Sequence, residues 1–165
     1  MRRQSAFAVL ALCLAPSLAI AATFPIPAEK PIATVTIPDN WSPKVSGDSV
    51  EGASADGHIY VAFDSVDAAD ADAMIEAFLN SITSNGDEVD RASKKTKDVK
   101  INNLDASEIS YTGKDKEGPT DIKLTLIKTN APSKILLFTY WGSTSGEATN
   151  DKDVKAISSG IQATK

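Results

Sequence analysis

Ile135-Leu136-Leu137-Phe138-Thr139-Tyr140-Trp141 is the most apolar run of the 165-residue chain once its first 21 residues are set aside. It is rich in β-branched and aromatic residues, follows Pro132-Ser133 and stops at Gly142, so it specifies a strand rather than a short helix. Both of its faces are largely apolar. A strand of that kind belongs in the middle of a sheet that is covered on both sides.

Working outward, the N-terminal stretch decides where such a sheet would fold. Met1-Arg2-Arg3 is positive, Ala6 to Ala15 is apolar, and Ala19-Ile20-Ala21 is a small-x-small site, the order of a secretory signal cleaved after Ala21. About ten apolar residues are too few to span a hydrocarbon core of roughly 30 Å, so no membrane span is expected after cleavage. A periplasmic or secreted protein is predicted. Residues 1–21 are read as signal peptide, 22–31 as an extended proline-rich lead-in outside the core, and 32–165 as one α+β domain.

Cleavage leaves 144 of the 165 residues and removes Cys13, the sole cysteine. A thiol nucleophile, a disulfide framework and a thiolate metal site are thereby excluded. Taking Arg2 and Arg3 from the 17 basic residues leaves 15 against 22 acidic ones, a formal charge of −7. No nucleic-acid partner is expected from that balance. Arg91 is the single arginine left, which weakens any bidentate reading of phosphate.

Ile32 to Ile37 alternates as a half-buried strand, and Pro38-Asp39-Asn40 turns the chain into Trp41. A turn-rich stretch from Gly47 to Gly57 holds a short strand at Asp48 to Ala53. His58 to Phe63 is a strand with Ile59, Val61 and Phe63 on one face and His58, Tyr60 and Ala62 on the other. Asp67 to Ile82 is predicted as a helix capped by Asp67, its stripe formed by Met74, Ile75, Phe78, Leu79 and Ile82. Beyond it the pattern predicts a weak lysine-rich strand near Asp98 to Leu104, strands at Ala106 to Thr112 and Asp121 to Thr129, and the apolar strand. Gly142 to Gly146 reads as a flexible link, and Asn150 or Asp151 as the cap of a closing helix at Lys152 to Ile161.

This order of elements, with its Ile37-Pro38-Asp39-Asn40-Trp41 turn, resembles the Mog1/PsbP-like fold over about residues 32 to 162. The resemblance implies an α/β/α sandwich, a mostly antiparallel sheet with helices on both faces. It also implies accessory and binding roles: its members look like photosystem extrinsic subunits, a nuclear transport factor that binds a small GTPase, and bacterial envelope proteins. No functional residue carries over from it.

Motifs for phosphate, dinucleotide, zinc or thiol chemistry are absent. Gly142-Ser143-Thr144-Ser145-Gly146 has threonine where a nucleophile elbow needs serine, and no histidine follows it. Asp64, Asp67, Asp70 and Asp72 crowd a predicted helix start and raise calcium as a thought, but their spacing is not that of a calcium loop. No cofactor, metal ligand or catalytic residue is assigned. The leading expectation is a non-enzymatic exported binding or accessory module for an envelope protein or a small ligand. Its candidate residues are Trp41, His58, Tyr60, Tyr140 and Trp141, where aromatic rings meet polar groups. A carboxylate-based hydrolase and an envelope scaffold or assembly protein are the alternatives.

Overall fold

A computed structural model describes residues 21–165. Apart from Ala21, the predicted secretory leader lies outside the described residues. The strands are β1 (Ala21–Ile26), β2 (Ala33–Pro38), β3 (Lys44–Ser46), β4 (Ser49–Ala53), β5 (Ile59–Asp67), β6 (Glu88–Ile101), β7 (Leu104–Asp115), β8 (Gly118–Lys128), β9 (Lys134–Ser143) and β10 (Gln162–Ala163). Helix α1 (Ala71–Ser84) follows β5, and α2 (Thr144–Ser159) follows β9. Seven strands form one sheet in the order β3-β4-β5-β9-β8-β7-β6, and β1-β2-β10 form a second. Every pairing among the described residues is antiparallel.

The apolar run is β9, and it is the middle strand of the seven. Its alternation feeds two separate cores. Leu136, Phe138 and Tyr140 join Ile59, Val61, Phe63 and Ile127 under α2 and the small sheet. Leu137, with Ile135 and Trp141 beside it, joins Ile122, Leu124 and Ile109 under Ile75, Leu79 and Ile82 of α1. Phe63 and Phe138 face each other across β5 and β9 and stack at 4.6 Å between centroids. The molecule is an α+β sandwich with one helix on each face of a central antiparallel sheet.

Five local expectations are corrected. The lead-in is extended, but residues 21–26 pair with β2 along their whole length and bury Ile26 in the α2-side core. Pro25 is tolerated within β1 because β1 is an edge strand, where a missing N–H costs little. Helix α1 begins at Ala71, with Asp70 as N-cap, because β5 continues to Asp67 opposite Lys134. The weak lysine strand is 14 residues long, and its register shifts between Asp90 and Lys95. The supposed flexible link instead ends β9 and opens α2, with Ser143 Oγ accepting from Gly146 N at 3.2 Å. Asn150, expected as a cap, is buried inside that helix.

Candidate functional site

Helix α1 lies over β9, β8, β7 and β6 and is clamped to β6 by Arg91, which donates to Glu76 at 2.6 Å and Asn80 at 2.9 Å. That position covers Val66 of β5 but leaves β4 and the Tyr60 to Asp64 part of β5 outside the α1-side core on the same face. The gap is a groove of about 380 Å³. Met74, Ala77, Phe78 and Ser81 of α1 form one wall, and Ala62, Leu137 and Thr139 form the floor. Ser49, Glu51, Tyr60 and Asp64 make the polar side, with Ser46 at the end. Alternation on β4 and β5 puts these four on one sheet face, since Ser49 stands opposite Asp64 and Glu51 opposite Ala62.

The groove's polar groups are strongly coupled. Tyr60 donates its hydroxyl hydrogen to Glu51 Oε2 at 2.8 Å, and Ser49 Oγ donates to Asp64. Burial, reinforced by the bond to Glu51, pushes the Tyr60 phenol up. Burial also raises the Asp64 carboxyl; the Ser49 bond opposes that rise and the Glu51 charge adds to it. No lysine, arginine or histidine is among the lining residues.

A second hollow, about 220 Å³, lies between α2 and β8-β9 beside Tyr140, Phe138 and Val154. Its chemistry is already satisfied from within. Tyr140 donates to Glu147 Oε1 at 3.0 Å, and Lys123 Nζ sits 3.5 Å from the same oxygen and 4.8 Å from the Tyr140 ring centroid. Burial first, then the Glu147 charge, raises both the Tyr140 phenol and the Asp121 carboxyl. This cluster docks α2 on the sheet.

His58 lies under the first turn of α2. Its Nδ1 is 3.1 Å from Ser143 Oγ and 3.2 Å from Glu117 Oε2. A serine–histidine–acid relay needs the two ring nitrogens on different partners. Here both partners face Nδ1, and Ser143 serves as a helix cap. Beside it, Asp56 accepts from Ser54 at 2.5 Å, from Asn150 at 3.0 Å and from His58 N at 3.1 Å, tying the β4-β5 turn to α2. The Ser54 bond, followed by the Asn150 bond, lowers the Asp56 carboxyl to about 2.

A depressed carboxyl stabilises the fold above its unfolded value near 4 and loses that contribution as pH falls toward 2. Wild-type unfolding free energy is therefore expected to drop more steeply between pH 4 and pH 2 than that of Asp56→Asn. Because Asp56 is exposed, the difference should stay under about 1 kcal/mol. Urea titrations of both proteins at those pH values check it; equal slopes would remove the assigned role.

Of the five residues singled out by sequence, only Tyr60 lines the groove. Trp141 is opposite Tyr60 across β5 and β9, half-buried against the α1-side core. Tyr140 and His58 serve the α2 side. Trp41 is fully buried and donates its Nε1 hydrogen to Asp153 Oδ2 at 3.1 Å, so it offers no stacking surface. The four aspartates also disperse. Asp64 faces the groove, Asp67 pairs with Lys134 at 3.3 Å, and Asp70 and Asp72 sit at the start of α1. Among the described residues no three metal-ligating side chains form a group.

No protein-family model matches the chain, and no curated protein sequence does. Solved structures do. The cyanobacterial PsbP (CyanoP) of Synechocystis sp. PCC 6803 superposes with a TM-score of 0.54 at 11% identity, covering 94% of this chain and 99% of that one. A crystal structure from Bacteroides thetaiotaomicron VPI-5482 gives 0.51 at 13% identity, with 81% of this chain covered. This chain spans 46% of that protein's length. The Saccharomyces cerevisiae Ran-binding protein Mog1p matches at 0.46 and 10% identity over 87% of this chain and 95% of its own, too weakly to carry weight. What is shared is the fold. At these identities no site residue transfers from a neighbour, and the groove stands on its own geometry.

Sequence reading missed Glu51, Asp64, Met74, Phe78 and Thr139 as groove residues. Two signals were present. Asp64 is a carboxylate directly after the apolar stretch Ile59 to Phe63, and Thr139 is the one aliphatic hydroxyl in the apolar run. What unites them is strand register, which a single sequence does not display.

Proposed function

We infer that the chain is a non-enzymatic binding or accessory module and that the α1-side groove is its site. The observation that carries this reading is the groove's make-up: an apolar wall and floor beside coupled polar groups, none of them basic. A space of about 380 Å³ is within the range of small-molecule sites, which favours a small ligand over a protein. Large exposed apolar side chains are confined to Val45 and Met74 among the described residues, too few for a broad docking patch. Export to the periplasm or beyond is proposed from the leader. None of the described helices is long and apolar enough to cross a membrane.

A carboxylate hydrolase places acid and base on opposite sides of the bond to be cleaved. Glu51 and Asp64 stand on adjacent strands of one wall, which supports binding instead. The test is a fragment screen read by the Met74 ε-methyl resonance, Met1 being the other methionine. Fragments that shift Met74 and raise the melting temperature are expected. A screen in which none moves Met74 would sink the reading.

A further inference from the structure

We propose that the groove binds an organic ammonium ion carrying an apolar chain. The inference rests on the reading of the groove as a binding site and adds the class of ligand. Its lining is rich in acceptors and poor in donors. Glu51 and Asp64 supply two carboxylates, and each has taken one hydroxyl hydrogen from its neighbour, leaving other lone pairs free. Tyr60 spends its only donor on Glu51 and keeps its acceptor capacity. Thr139, 3% exposed, adds a hydroxyl to the floor.

The missing complement is therefore a donor with positive charge. Lys44 stands opposite Glu51 on β3 but is exposed, forms no ion pair with it, and lies outside the groove lining. A hard metal ion is a poor match, since it needs six or more oxygens and gains nothing from Met74, Phe78, Ala62 and Leu137. Those four residues would instead cover an alkyl or aryl chain, with the methionine adapting to its shape. Ammonium at the Glu51–Asp64 side and hydrocarbon along α1 uses both halves of the groove.

The experiment is an NMR titration of the protein at pH 7, following the Met74 ε-methyl, with hexylammonium, hexanol and hexanoate as matched probes. Hexylammonium is expected to bind at least tenfold more tightly than either control. Shortening it to butylammonium should weaken binding by up to about fourfold per methylene, the effect of a buried CH₂. Glu51→Gln and Asp64→Asn should each weaken hexylammonium by roughly threefold to tenfold and leave hexanol unchanged. Raising salt to half-molar should reproduce that selectivity loss in the unmodified protein, so the test survives a variant that fails to fold. Hexanol binding as tightly as hexylammonium would overturn the cation while leaving the groove a binding site. Silence of Met74 toward all three probes would overturn both.

Discussion

Trp41→Ala is expected to lower the unfolding free energy by about 3–5 kcal/mol, the range for a large aromatic removed from a packed core. The indole is fully buried with Ile37, Val50 and Ile59 in the α2-side core, and its N–H reaches Asp153 on α2. Gly52 lets the turn that carries it sit close: a Cβ there would stand 3.2 Å from the Trp41 carbonyl oxygen and 3.4 Å from Ile37 Cγ2. Two effects are lost together in the alanine variant, and Trp41→Phe separates them. Phenylalanine keeps most of the apolar volume and gives up the bond to Asp153, so it should cost about 1–2 kcal/mol. Urea unfolding of the three proteins at pH 7 decides the matter. A cost below about 1 kcal/mol for Trp41→Ala would mean that the turn after β2 does not anchor the core.

The second large effect is at Gly146, where local and tertiary preferences oppose each other. Alanine is better than glycine in a helix by about 1 kcal/mol, so propensity alone predicts that Gly146→Ala stabilises α2. Packing predicts the reverse. A Cβ at Gly146 would lie 2.2 Å from His58 Cβ and 2.9 Å from His58 Cγ. The first of these atoms is fixed to the backbone, so no rotamer relieves the contact, and the first turn of α2 must lift from β5. That movement also strains the Asn150–Asp56 and Ser143–His58 bonds. The net expectation is a loss of about 2 kcal/mol, the propensity gain set against an overpacking cost near the top of its usual range. Removing the other Cβ with His58→Gly should rescue part of it, giving a coupling of at least about 1 kcal/mol in a double-mutant cycle. A stabilised Gly146→Ala variant would overturn the contact.

These two sites also show what the sequence could and could not convey. Strand β9 was legible because an apolar run with β-branched and aromatic residues has only one comfortable place, the centre of a covered sheet. The core stripe of α1 was legible from its period at Ile75, Leu79 and Ile82, whereas Met74, expected in the stripe, stands exposed at the groove; the helix start was not legible, since four aspartates near it made Asp67 as plausible a cap as Asp70. The first two turns of α2 were hidden by Gly142, Ser143, Thr144, Ser145 and Gly146, a composition that reads as a loop. Only the close passage of His58 requires glycine at 146, and that approach is tertiary. Of the candidate site, Tyr60 was visible as an aromatic residue on a half-buried strand. Its partners Glu51 and Asp64 come from strands paired in a register that only the folded sheet supplies. Trp41 stood out as an aromatic residue after a turn, but its full enclosure was not legible, because it depends on the short 3-10 turn at residues 39–41 that swings the indole under α2.

The small sheet has a bearing on how the molecule can be held. Residues 21–26 and 162–163 pair with the two edges of β2, the first beginning at its Pro38 end and the second finishing at its Ala33 end, both in the layer packed on the α2 face. The groove opens on the opposite face of the large sheet. A tether, tag or fused domain joined at either end would therefore grip the molecule from behind, leaving the mouth of the groove facing away from whatever it is attached to.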